Sequence, residues 1–531
     1  MTTGGRTPGT EALEEQETVG AERATAPPTG APPRVRGSHD RAIELAILVG
    51  FAIVVGLTIL RHEMWRDELQ AWTLTRSSTG LRDLLHNLRF EGHPALWYLL
   101  LYPLTRWFDG PEAMQALQYA IAVATMTVIV YRAPFTLLQK GMVAFGYFLV
   151  FEYGTLSRSY ALGVLLLVVA CAVAARSPRN VPLVGLLLGL VALTSAFGAI
   201  LAVAVGGGLL VDELARRRSD DPRAASPQSL AIGAAVALGG LLVAYAQSIP
   251  PENAGEYRGW RTDLDAGEMG STIASVWRAF VPIPHLEREF WNTNVLDGRV
   301  TIAAILSLGL IGLVAATLRA KPGALVAWGL GLGGILVFLY AKIGYSASGR
   351  HYGHIFLLLL AVSWLAPSMA TTGEDRGGRA RPAELRAVVL TVVLVMHLFA
   401  GAFAVALDWT TPFSDGRAVA RYLQTNGLDA AVIIGYPDTS ASTVAGYLQR
   451  QVYYPQGGRF GSYVIWDTDR SGRPRPLADV IADVLRPSGP TVLVLRTAPL
   501  DDLPPDLRLL ATFDDGIVAD EHYWLYEVDR G

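Results

Sequence analysis

Cysteine occurs once in this 531-residue chain, at Cys171. A single thiol excludes an intrachain disulfide and any cysteine-cluster metal site, and its place within an apolar run reads as a small buried hydrophobe. Charge is scarce as well. Asp, Glu, Lys and Arg make up 17% of the residues, where an average soluble domain carries about 25%. Together with 51% hydrophobic residues and a mean hydropathy of +0.33, that shortage places the chain in the membrane class. The net charge of −3 supplies no basic field, so nucleic acid is excluded as a partner. No cleavable signal peptide is expected, because the first apolar segment starts only near Arg41 and continues as a full span. Residues 1–40, rich in Gly, Thr, Pro, Glu and Ala and without apolar periodicity, read as a disordered cytoplasmic tail.

What the chain has in quantity is long apolar runs. Spanning candidates are 42–60, 113–131, 159–176, 229–247, 300–318, 323–341, 352–369 and 385–408, with a weaker one at 134–152 that carries Lys140. The run 180–213 would be about 51 Å long as one helix, too long for a roughly 30 Å core. It reads as two short spans meeting near Thr194–Ala196. Lys and Arg in the short loops set the orientation. Arg34, Arg36 and Arg41 place the N-terminus in the cytoplasm; Arg132 and Lys140, Arg176 and Arg179, "ARRRSDDPR" (215–223), "RAKPG" (319–323) and "EDRGGRARPAELR" (374–386) mark further inner loops. These agree if residues 93–108 lie in or on the membrane without crossing it. The expectation is an all-α polytopic membrane bundle of about eleven transmembrane helices over 41–408, C-terminus outside. The first outer loop is 61–112; 152–160, 248–299 and 342–354 face the same side.

Past residue 408 the pattern changes. "RAVARYLQTNG" reads as a helix closed by Gly427, "AAVIIGYP" and "GSYVIWD" as strands, "TVAGYLQRQ" as a helix, and "LADVIADVLRPSGPTVLVLRT" as helix, turn and strand, before "YWLYEV" closes the chain. Alternating strands and helices imply a small α/β domain over 409–531, outside the cell. It lacks a Gly-rich strand-to-helix turn that would cradle phosphate, so it reads as a docking or structural module.

The chemistry gathers on the outer face. "MWRDELQAW" (64–72) sets Asp67 and Glu68 side by side just past the first span, flanked by Trp65 and Trp72. Carboxylates cost little at a helix end, and a solvated pair between tryptophan anchors would look the same. Their company is distinctive: an amphipathic stretch, then His93-Pro94, then the apolar "ALWYLLL". This order resembles the first outer loop of the GT-C membrane glycosyltransferases, in the branch of protein O-mannosyltransferases and lipid A aminoarabinose transferases. "SRSYALGVLLL" (157–167) resembles that branch's Arg-x-Tyr-Ala-Leu stretch. "GLLLGLVALTSAFGAIL" resembles its GL-x-x-GLA-x-LTK segment, with Ser195 where a lysine often stands. Ala95 likewise replaces the second proline of the usual HPPL.

The resemblance implies transfer of a sugar from a polyprenyl-phosphate donor to a lipid, glycan or protein acceptor at the outer face, with no nucleotide-binding domain. Asp67 matches the family's base. Neighbouring residues point in different directions, so Glu68 is a substrate contact or an ion-pairing brace, not a second base. Arg158 and the pair Arg350-His351 are the candidate phosphate clamps, because Arg binds phosphate bidentately. Tyr160 and His93 complete the substrate-binding set, His93 on the acceptor side or as a loop-fixing residue. His93, His351 and His354 make no recognised metal spacing; Asp67 could share a divalent cation with the donor phosphate, as some relatives in the wider fold do. The rival readings are a polytopic transporter, which needs ionisable groups or broken helices at mid-membrane, and a non-catalytic cell-envelope assembly protein, which needs no acidic–arginine constellation.

Overall fold

Among the described residues, eight helices are long and apolar enough to cross a membrane: Ser38–Arg61, Glu112–Arg132, Ala196–Arg218, Pro227–Ser248, Val300–Leu318, Pro322–Ile343, Gly349–Ser368 and Pro382–Thr410. Two shorter apolar helices, Ser159–Ala174 and Val181–Ala192, complete the regular set. They belong to a computed structural model that describes residues 37–255, 259–344, 347–371, 380–471, 475–485, 489–496 and 504–528. With the irregular segment 137–152, these ten helices are roughly consistent with the expected count of about eleven. The chain is a multi-pass membrane protein. Most of the expected N-terminal tail lies outside the described residues, as do residues 374–379 of the loop 374–386. The first helix starts at Ser38, four residues before the expected span.

The long run breaks where the sequence suggested. Val181–Ala192 ends, and Ser195 caps the next helix by accepting a hydrogen bond from the Gly198 N–H at 2.9 Å. Ser195 is thus a buried helix cap. The weak span 134–152 is not one helix. Leu137–Phe145 stops at Gly146, and a wider turn covers Phe148–Glu152. The cause is a close crossing with the last long helix: a Cβ on Gly401 would lie 2.4 Å from the Phe145 carbonyl oxygen. The segment 93–108 contains the helix Leu96–Trp107. That helix carries Pro103 inside and Arg106 in its last turn.

Ion pairs collect at the two ends of the bundle. At one end Arg179 and Arg216 both reach Asp212, and Lys140 meets Glu44 at 2.7 Å. Arg179 lies just past Ser159–Ala174, whose other end begins at Arg158 and Asp67's surroundings. At that second end, His62 sits between Glu68 (3.1 Å) and Asp408 (3.2 Å), all three fully buried. Burial alone would lower the His62 pKa, but the two carboxylates raise it to about 10. The charged imidazolium ties the end of the first span to the end of the last, and removing one member of such a buried set typically costs roughly 3–5 kcal/mol. One histidine lies deeper: His397 is buried against Phe356, with Nε2 3.1 Å from the Ala279 carbonyl.

The C-terminal region is a six-stranded sheet in the order β3-β2-β1-β4-β6-β5. The strands are β1 (Val432–Tyr436), β2 (Val452–Tyr454), β3 (Arg459–Gly461), β4 (Thr491–Leu495), β5 (Leu507–Phe513) and β6 (Tyr523–Val528). Strand β1 runs parallel to β2 and β4, with Ile434 opposite Leu493; the other pairs are antiparallel. Gly427 closes the helix Gly416–Thr425 at φ +66°, where glycine carries no steric penalty. The expected strand "GSYVIWD" is corrected. Only Gly461 belongs to β3; after it Ser462 and Val464 leave the sheet to bond Ser77 and Gln70. Strands β2 and β5 were not anticipated.

Candidate functional site

The helix Arg66–Ser77 carries the DE pair in its first turn, where the helix dipole favours negative charge. The two carboxylates part company at once. Glu68, at the third helical position, reaches back to accept the Trp65 N–H (3.2 Å) and shares that oxygen with His62. Its other oxygen accepts the Ser157 N–H at 2.6 Å. Glu68 is fully buried with both oxygens bonded. It braces His62, Trp65 and Ser157 and exposes no oxygen toward the neighbourhood of Asp67.

Asp67 turns the opposite way and is about a quarter exposed, at 27%. Its Oδ2 is shared by two arginines: Arg158 Nη1 at 2.7 Å and Arg350 Nη2 at 3.1 Å. Arg66 Nε stands 3.9 Å from Oδ1. Burial would raise the Asp67 pKa; Arg158, Arg350 and Arg66 override it and hold it at about 2. Arg158 is the residue before the helix Ser159–Ala174, and Arg350 is the second residue of Gly349–Leu365. Three helix starts far apart in sequence thus meet at one carboxylate.

The Arg350 guanidinium is seated independently of Asp67. It lies 5.1 Å from the Trp65 ring and 5.8 Å from the Trp291 ring, and the two indoles meet edge-on at 4.7 Å. These cation–π contacts fix its plane. Arg158 lies 5.8 Å from the Tyr160 ring. Tyr160 packs edge-on against His93 (6.4 Å), His351 (6.2 Å) and His354 (5.2 Å), and both of the latter stack on Phe197. His351 Nδ1 accepts the Ser348 N–H at 3.0 Å and so fixes the helix start that presents Arg350. His93 has a buried Nδ1 without a partner, and burial and then Arg158 lower its pKa to about 4. It is a neutral imidazole at neutral pH.

The structure therefore brings Asp67, Arg158, Tyr160, His93, Arg350 and His351 into one neighbourhood and turns Glu68 away. Sequence reasoning missed Trp291, which lies in the long loop 248–299 and gave no periodic signal. It also missed Glu91, whose carboxyl accepts from Gln70 Nε2 at 2.7 Å and which burial pushes up to about 7. Among the described residues no group of three or more His, Cys, Asp or Glu side chains could hold a metal ion. At Asp67 two guanidinium groups already stand where a divalent cation would bind, so these residues do not fit a shared metal. Beside the Arg350 helix start opens a cavity of about 470 Å³, lined among others by Trp277, Arg278, Asn292, Asp297, Tyr340 and Tyr352. Asn292 Oδ1 accepts the Gly349 N–H at 2.8 Å, linking its wall to the site.

The C-terminal region packs on the helix that carries Asp67. Gln70 pairs with the Val464 backbone in both directions (2.7 and 2.9 Å), and Tyr447 donates to the Met64 carbonyl at 3.1 Å. Glu521 accepts the Arg66 N–H at 2.8 Å and the Ser414 hydroxyl at 2.5 Å. Gly446 lies so close to Leu69 that an added Cβ would stand 2.9 Å from the Leu69 Cβ.

No protein-family model and no curated protein sequence matches the chain. It is similar to the crystal structure of ArnT from Cupriavidus metallidurans bound to undecaprenyl phosphate, with 12% sequence identity and a TM-score of 0.48, over 91% of this chain and 97% of that one.

Proposed function

We propose that this membrane protein transfers a sugar from a polyprenyl-phosphate donor to a lipid, glycan or protein acceptor at the outer face of the membrane. The observation that carries the reading is the meeting of Asp67, Arg158 and Arg350 at one end of the bundle. The motif order from the DE pair through His93-Pro94 to "SRSYALG" supports it. In this reading the acceptor's oxygen or nitrogen attacks the anomeric carbon. The bond from that carbon to the phosphate oxygen breaks, and the electron pair leaves on the phosphate. Asp67 takes the acceptor's proton, while Arg158 and Arg350 stabilise the charge on the departing phosphate. Tyr160 and neutral His93 line the approach. The cavity beside Asn292 has the size and the mixed aromatic and polar walls that suit a sugar-bearing group. Ion pairs gathered at the two ends of the bundle, not along a mid-membrane path, favour this reading over transport.

Purified protein in nanodiscs is expected to release or transfer sugar from synthetic prenyl-phosphate monosaccharides, and the preferred head group would identify the sugar. Arg158→Ala and Arg350→Ala should each raise the donor KM by roughly tenfold or more, with little change in the acceptor KM. Activity with a nucleotide sugar alone, in a preparation freed of lipid carriers, would overturn the donor assignment. The orientation belongs to the same proposal. A reporter at the C-terminal end should be labelled only from outside, and one inserted at Asp220 only from inside. The reverse pattern would put the site on the wrong face.

A further inference from the structure

The two groups assigned to the phosphate and the group assigned to the proton hold one another in this structure. Oδ2 of Asp67 accepts from both Arg158 and Arg350, so neither arginine presents its full fork outward, and the carboxylate is engaged by the strongest partners a carboxylate can have. A base held this way has little affinity for an acceptor's proton. A phosphodiester carries one negative charge, as the Asp67 carboxylate does, and offers two oxygens to the two guanidinium groups that now share Oδ2. The seats of the arginines do not depend on Asp67: Arg350 lies over two indoles and Arg158 beside Tyr160. Each would stay in place if the carboxylate let go.

We propose that Asp67 is a built-in competitor for the donor phosphate, and that an incoming lipid phosphodiester displaces it from Arg158 and Arg350. The base is thereby released only when the donor is in place. This rests on the donor reading above and adds to it an order of events: donor first, then a competent base. Premature deprotonation of acceptor or water is suppressed because the free enzyme keeps its carboxylate occupied. The ligand class is a prenyl phosphodiester, whose tail would lie in the membrane beside a site built at helix ends.

The test measures binding without chemistry. The probe is farnesyl methyl phosphate, a singly charged diester with no sugar, titrated into the full-length protein in nanodiscs. Removal of the competitor should tighten binding, so Asp67→Asn and Asp67→Ala should each bind the probe about tenfold more tightly than the native chain. Arg158→Ala should weaken it by a similar factor. Equal or weaker binding by both Asp67 variants would overturn the exchange and assign the carboxylate a structural role at the arginines. Absence of binding by every form, the native chain included, would instead overturn the donor reading. Inorganic phosphate at the same concentration should not compete; full competition would reassign the site from a lipid phosphodiester to free phosphate.

Discussion

Sugar transfer by Asp67→Asn is expected to fall by roughly 10²–10⁴, the usual worth of general-base help, with expression and membrane insertion unchanged. An amide takes no proton at neutral pH, and the substitution keeps the shape of the side chain. It also keeps an oxygen able to accept from Arg158 or Arg350, so the two helix starts remain near their native places. The loss should appear in kcat, not in donor KM, since donor binding is expected to tighten. The combination of tighter binding with lost turnover separates a base from a structural carboxylate, whose loss would weaken both. Transfer at near the native rate would remove Asp67 from the base role. Attention would then pass to Glu91, the nearby buried carboxyl whose pKa of about 7 lies in the range suited to a base.

Truncation after Thr411 is expected to abolish transfer and donor cleavage together. The helix Arg66–Ser77 has twelve residues, and a helix of that length is marginal in isolation. It is held by its surroundings: Leu69 and Trp72 are fully buried, and Gln70, Met64 and Arg66 bond directly to residues of the C-terminal region. Without that cover, Asp67 loses the seat that aims it at the two arginines, and a displacement of about 1 Å can cost 10²-fold. A finer variant makes the same point without deletion. Gly446→Leu places a side chain against Leu69, where even a Cβ has no room, and should lower transfer by roughly 10²-fold while the protein remains monodisperse. A truncated, monodisperse protein that cleaves donor at the native rate would show that the membrane bundle positions Asp67 unaided. The sequence suggested a docking or structural module; in the structure it packs on the helix that carries Asp67.

The limits of sequence reasoning are visible in particular residues. Apolar run length located the helices, because burial in hydrocarbon is a local requirement that each segment meets by its own composition. The break within 180–213 was legible for the same reason: the run was too long, and Ser195 offered a cap. The segment 134–152 was misjudged because its irregularity comes from a neighbour 250 residues away, the Gly401 crossing, and not from its own sequence. "GSYVIWD" has the alternation of a strand, yet Val464 bonds Gln70 and not a neighbouring strand.

At the candidate site, the sequence by itself singled out the candidate residues, which the structure gathers at one end of the bundle. Arg158 and Arg350 were legible as helix-end cations, and Asp67 as an acidic residue beside the first span. That the two arginines close on a single carboxylate oxygen, that Glu68 turns inward to His62 and Ser157, and that Trp291 seats Arg350 were decided only by the tertiary structure. The physical reason is range. Hydropathy and helix starts are properties of a few consecutive residues, whereas an ion pair between residues 67 and 350 depends on how distant helices pack, and adjacent positions such as 67 and 68 differ only in which side of one helix turn they occupy.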